Sequence, residues 1–221
     1  MLTCSRPSPR SDAIPPIPHI ALVLFDFDGV LARYERGRRV ARLAAALERE
    51  PAAVCRALFD SGLEDRYDAG QVATADYLAE LGTRLGHAPL DAALWLAARR
   101  EATATDPAAL ALAARVAATG RQVAVLTNNG PLLAPLAGEL LAPALPGMEE
   151  RVLCSGALGL RKPDPRAYLE ALRRLGAAPH RTLFVDDVFA NVRGARQAGL
   201  HADSVRDARA LGRLLRRYRV L

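Results

Sequence analysis

One stretch constrains this chain more than any other. Ala21 to Phe25 is an unbroken apolar, mostly β-favouring run that empties into two carboxylates, Asp26 and Asp28, and closes on Gly29. An apolar run without alternation reads as a central strand of a parallel sheet covered on both faces, and such sheets bind ligands just beyond the carboxyl ends of their strands. Asp26 and Asp28 fall on that edge. Two acids one residue apart repel unless a cation or a shared proton holds them, so a hard divalent metal is one reading and a polar strand end entering a turn is the other.

The rest of the composition narrows the setting. The 221 residues suffice for one good core, with room for a smaller inserted module. No apolar run is long enough to cross a membrane, and an ordinary soluble globular protein is expected. Residues 1–18 carry five prolines with Arg6 and Arg10 and no apolar segment of the kind a secretory signal needs, which predicts a disordered tail. Cys4, Cys55 and Cys154 are odd in number and far apart, against a disulfide framework or zinc site and in favour of a reducing cytoplasm. The net charge of +6 comes from 29 arginines and a single lysine, Lys162. The densest arginines, Arg206 to Arg219, lie on what reads as the last helix, where cations suit the negative end of the dipole. A single aromatic residue, Tyr218, falls among them, too few for a row of stacking platforms, so neither a nucleic-acid nor a membrane partner is expected, and the chain is read as a monomer or homodimer acting on a small molecule.

After the opening strand the pattern turns helical. Val40, Leu43, Ala44 and Leu47 recur at helical spacing, Pro51 opens a second helix, Tyr77 to Leu85 mark a third, and Leu90, Leu94 and Trp95 a fourth. Between the second and third, Ser61 to Gly70 reads as a polar loop. The next strand is Gln122 to Leu126, entered from a helix opened by Asp106 and Pro107. Asp26 and Thr127 stand 101 residues apart, whereas a strand–helix–strand unit takes on the order of 30. Residues 33–95 are therefore read as a helical insertion beside the sheet edge, placed to act as a lid, with residues 19–32 and 96–221 as the core. Beyond Thr127, strands near Arg151–Cys154, Thr182–Val185 and His201–Val205 alternate with helices, which predicts an α/β, doubly wound parallel sheet.

Four signals line up on one sheet edge. Thr127 ends the strand VAVL with Asn128 and Asn129 next, placing a hydroxyl and amides where a phosphate or carboxylate oxygen could be held, or where they would merely cap the following helix. Lys162, in RKPDP, suggests a site that needs a compact point charge rather than a planar fork, or chance. Asp186 and Asp187 end the strand TLFV and would meet Asp26 and Asp28 if the two strands are neighbours. Four carboxylates with oxygen-only ligands at that density suit Mg²⁺.

FDFDGV at residues 25–30, Leu126-Thr127-Asn128, Lys162-Pro163-Asp164-Pro165 and Val185-Asp186-Asp187 with Asn191 together resemble the four motifs of the haloacid dehalogenase superfamily. The set spans nearly the whole chain, and the insertion after the first motif resembles the C1 cap of subfamily I. The runs GLRKPDPRAYLEAL and LFVDDVFANVRGARQAG are most similar to sugar-phosphate phosphatases, such as those of α-D-glucose-1-phosphate, and to the N-terminal phosphatase domain of soluble epoxide hydrolase. The resemblance implies a Rossmann-like core and a Mg²⁺-dependent phosphatase. Asp26 would attack phosphorus to form an aspartyl-phosphate, and Asp28 would act as general acid and base. Thr127 would bind a phosphoryl oxygen and Lys162 would pair with Asp26 and the phosphate. Asp187, Asp26 and the backbone carbonyl of Asp28 would ligate Mg²⁺, Asp186 would hold a metal-bound water, and Asn191 would orient this shell.

The same motifs separate competing activities. Superfamily dehalogenases carry a non-acid at the position of Asp28, and phosphonate hydrolysis needs a cap lysine that this chain lacks. A phosphomutase shares all four motifs and stays open, as does a non-catalytic binding module that uses the basic last helix. For specificity, Arg66 and Tyr67 could reach a substrate from the cap, with Asn128 beside it and Arg33 and Tyr34 at the hinge, or all could simply solvate loops. Trp95 is expected between cap and core, and the four histidines at the surface.

Overall fold

The computed structural model describes residues 19–87 and 89–221, so the expected tail at 1–18 lies outside the described residues. In chain order the elements are β1 (Leu22–Phe25), β2 (Ala32–Tyr34), α1 (Arg36–Leu47), α2 (Pro51–Cys55), which continues as a π-helical turn to Asp60, α3 (Leu63–Asp68), α4 (Thr74–Arg84) and α5 (Ala92–Glu101). There follow β3 (Thr103–Thr105), α6 (Pro107–Ala118), β4 (Gln122–Thr127), α7 (Leu133–Leu141), β5 (Val152–Cys154), α8 (Ser155–Leu158) and α9 (Pro165–Leu175). Then β6 (Thr182–Asp186), α10 (Phe189–Gln197), β7 (His201–Ser204) and α11 (Ala208–Arg217) complete the chain.

The five core strands run in parallel in the order β5-β4-β1-β6-β7. β1 is central, and its unbroken apolar character has a direct cause: Val23 and Phe25 enter the core on one face of the sheet while Leu22 and Leu24 enter the core on the other. β4 and β6 divide the same way, with α6, α7 and α11 covering the first face and α9 and α10 the second. The chain leaves β1 toward β4 and β5 and later returns to β6 and β7 on the other side. The strand order therefore reverses at β1, and a crevice opens at its carboxyl end. Helix starts follow local sequence: Asp106 Oδ1 accepts from the amides of Ala108 and Ala109, at 2.9 and 3.1 Å, with Pro107 at the first helical position.

Residues between β2 and β3 form a second helical unit with its own apolar core. β2 and β3 pair antiparallel, Tyr34 opposite Thr103, so both crossings between the units run side by side. With three residues each, they are too short to show a strand pattern in sequence. The expected boundary after Trp95 falls inside α5, which continues to Glu101 because Ala98 and Arg99 remain buried along the same face. Trp95 does not bridge to the core sheet; it lies in the core of the insertion and its Nε1 donates to Tyr77 Oη at 2.9 Å. The Ser61–Gly70 stretch is not a loop through its middle but helix α3. Leu63 and Tyr67, four residues apart, are both fully buried, Tyr67 stacks on Tyr77 with centroids 4.0 Å apart, and Glu64 and Asp65 suit the positive end of the dipole. Among the described residues no helix is long and apolar enough to cross a membrane.

Candidate active site

At the carboxyl edge, β1 delivers Asp26 and β6 delivers Asp186, both buried and on neighbouring strands. Lys162, from the loop before α9, places Nζ 2.9 Å from Asp26 Oδ1 and 2.7 Å from Asp186 Oδ2. Burial opposes charge on this lysine, but the two carboxylates outweigh it and hold its pKa above the usual value. Burial likewise pushes the Asp26 carboxyl up to about 7, against the lowering effect of the Lys162 ammonium. Asn191 donates from Nδ2 to both Asp186 oxygens at 3.1 Å, and its own carbonyl accepts from Tyr168 Oη at 2.7 Å, which ties α10 to α9 beneath the site.

Asp187, exposed at the rim, joins Asp26 and Asp186 in a group whose carboxylate oxygens lie within 4.8 Å of one another. Gly29 is what permits this approach. A Cβ there would stand 2.4 Å from Asp187 Oδ2, and the residue takes a φ of +94°, so it clears the acid cluster as well as turning the chain. Three carboxylates against one lysine leave the group negative, and an all-oxygen donor set of this size fits a hard divalent cation.

Asp28 stands apart from that group. Its Oδ2 accepts from Arg99 at 2.6 Å and from Asn129 Nδ2 at 3.1 Å, while Oδ1 is buried with no partner among the described residues. Thr127, almost fully buried at the end of β4, shares Asn129 through a 2.8 Å bond to its Oγ1.

Above these groups, α1, α3 and the strand-end loops enclose a cavity of about 450 Å³ lined in part by Asp28, Tyr34, Arg36, Arg39, Asp68 and Asn128. Arg39 is fully enclosed, paired with Glu64 and donating to Tyr34 Oη at 3.3 Å and Tyr77 Oη at 3.1 Å, with its guanidinium over the Trp95 ring. Burial works against the charge, yet Glu64 holds it well above its ordinary pKa. Burial and the Glu64 charge together raise Asp68 to about 8. The insertion is docked on the core by Tyr67, whose Oη accepts from the Leu132 amide at 3.1 Å, and by Ser155, whose hydroxyl donates to the Asp68 carbonyl at 2.6 Å.

The fold thus brings Asp26, Asp28, Thr127, Lys162, Asp186 and Asp187 to one crevice. Three sequence-predicted substrate contacts lie elsewhere or act otherwise. Arg66 is committed to Glu80 at 2.7 and 2.8 Å and does not line the cavity, because α3 turns that face toward α4. Asn128 borders the cavity, but its amide grips the Lys162 backbone in both directions, at 2.8 and 2.9 Å, so it positions the lysine. Tyr67 is buried in the cap core. Arg39, Asp68 and Arg99 were not legible: each reads as one more charged residue on a helix.

The parallel α/β core carries its acid cluster at the strand-order reversal, with the helical insertion beside it. The chain belongs to the haloacid dehalogenase-like hydrolases, whose family model matches residues 20–199. A phosphatase of Mycobacterium tuberculosis is 39% identical over 107 residues, covering 43% of this chain and 49% of its own length. The phosphoserine phosphatase of Thermus thermophilus is 39% identical over 97 residues, covering 43% of this chain and 38% of its own length. The chain thus matches less than half the length of these relatives. Among solved structures, a HAD-like hydrolase of Porphyromonas gingivalis superposes with a TM-score of 0.70 at 24% identity, covering 90% of this chain and 98% of that one. A family enzyme of Bacteroides thetaiotaomicron, in complex with magnesium and inorganic phosphate, superposes with a TM-score of 0.68 at 18% identity, over 84% and 93%.

Proposed function

We propose that this protein hydrolyses a small phosphate monoester, a sugar phosphate or similar metabolite, with Mg²⁺ held by Asp26, Asp187 and the Asp28 backbone and Asp186 within reach. The observation that carries this reading is the division of labour between the two acids of the first motif: Asp26 sits against Lys162 inside the acid cluster, and Asp28 sits outside it at the cavity wall. When bound, the cation would neutralise charge on the phosphoryl oxygens. Asp26 attacks phosphorus in line, forming its acyl-phosphate as the bond to the leaving oxygen breaks, and Asp28 delivers the proton that oxygen needs. Asp28 then takes a proton from the water that attacks phosphorus, which frees phosphate and restores Asp26. Lys162 opposes the effect of burial on Asp26 and offsets the phosphate charge, and Thr127 holds a phosphoryl oxygen. The similarity to phosphatases, including one for phosphoserine, supports a small metabolite as substrate.

The test is release of inorganic phosphate from p-nitrophenyl phosphate and a panel of sugar and amino-acid phosphates. Release is expected with Mg²⁺, with loss on EDTA and in Asp26→Asn. Equal rates for the Asp26→Asn and unaltered proteins would sink the reading, and phosphate moved within a sugar rather than released would mark a mutase.

A further inference from the structure

We propose that Arg99 is the positioning residue for the acid–base Asp28: from the last helix of the insertion it fixes Oδ2 and so sets the orientation in which the carboxyl group meets the substrate. The proposal rests on the phosphatase reading above. Arg99 lies on α5, the last helix of the insertion, and is 1% exposed. Its one ion pair among the described residues is with Asp28, 71 positions away in sequence.

The guanidinium has little freedom. One terminal nitrogen meets Asp28 Oδ2 at 2.6 Å, the other donates to Thr103 Oγ1 at 3.1 Å, and the planar group lies over the Tyr34 ring, 3.7 Å from its centroid. Thr103 in turn donates to the Arg99 carbonyl at 2.7 Å, and Thr103 and Tyr34 are paired across β3 and β2. Helix α5 and both crossing strands therefore hold one fork in place. From the core side, Asn129 donates to the same Oδ2 at 3.1 Å. With both donors on Oδ2 the carboxylate plane is set, while Oδ1 is buried without a partner among the described residues. A surface cation could not do this, because neither the desolvation nor the three-way clamp would exist.

Arg99→Ala and Arg99→Lys, compared with the unaltered protein, test it on two esters that differ in how much their leaving group needs a proton. For an alkyl ester such as glycerol phosphate, the kcat of Arg99→Ala is expected to fall ~10²-fold with KM nearly unchanged. The pre-steady-state burst of p-nitrophenolate, a leaving group that departs without protonation, is expected to fall only a few-fold. Added guanidinium should recover part of the alkyl-ester rate, and Arg99→Lys should lie between the two. Equal losses on both esters, or a loss confined to KM, would overturn the proposal and leave Arg99 a structural latch. A crystal structure of Arg99→Ala reads positioning without turnover: a displaced Asp28 carboxylate supports the proposal, and one unmoved refutes it. If Arg99→Ala does not fold, Arg99→Lys carries both readouts. If the unaltered protein releases no phosphate from any ester, the phosphatase reading fails, while the Asp28 geometry in the variant still decides the role of Arg99.

Discussion

Lys162 in the core and Arg39 in the cap are both enclosed cations, with side chains 1% and 2% exposed, yet they sit in opposite electrical situations. Lys162 faces Asp26 and Asp186 with Asp187 close by, one positive charge against three acids. Arg39 faces one carboxylate, Glu64, and the hydroxyls of Tyr34 and Tyr77, so its charge is matched. A buried cluster short of positive charge is costly unless a further cation or a ligand completes it, whereas a matched pair rigidifies the element that carries it. The first arrangement is suited to chemistry and the second to holding the helical insertion in shape.

The largest test of this contrast is Lys162→Met, which leaves Asp26 and Asp186 with no buried cation beside them. Urea unfolding of the metal-free protein should show a loss of about 3–5 kcal/mol, and a loss well below that would mean the acids share protons rather than depend on the lysine. Arg39→Met should cost less, about 2 kcal/mol by the same measurement, because the Glu64 side chain is 14% exposed and can turn toward water in the cavity. An effect equal to that of Lys162→Met would erase the distinction between the two centres.

Asp68 sharpens the comparison through pH. Its folded pKa of about 8 lies above the ordinary 3.8, so the folded state binds its proton more tightly than the unfolded state. Its contribution to stability is complete at low pH and is lost as pH rises toward about 8. Asp68→Asn should therefore gain on the unaltered protein in thermal unfolding as pH is raised through that window, and a constant difference would contradict the shift. The smallest effect is expected for Arg66→Ala: loss of a half-exposed ion pair on the outer cap should change stability by less than ~1 kcal/mol and leave kcat/KM within a few-fold.

Local pattern made much of the core readable. The apolar run through β1, the Asp-Pro helix starts at Asp106 and Asp164 and the 101-residue interval before Thr127 are properties of contiguous sequence, and each maps onto an element or an insertion in the fold. α3 is hidden in the sequence because its two buried residues are outnumbered by polar neighbours, and burial against Tyr77 and the rest of the insertion's core, not local propensity, makes it a helix. In sequence, Arg66 stands out by its place in a polar stretch between helices, and Arg99 is one among 29 arginines. An arginine carries no mark of its partner.

By itself, the sequence determined which acids end the strands, because those residues are fixed to apolar runs that can only be sheet, and parallel pairing then brings strand ends to one edge. Only the tertiary structure decided which cation meets which acid: that Asn128 serves Lys162, that Arg66 serves Glu80, and that Arg99 crosses from the cap to Asp28. Those contacts depend on the docking of two separately packed cores, and the geometry of that docking is encoded in no contiguous stretch of the chain.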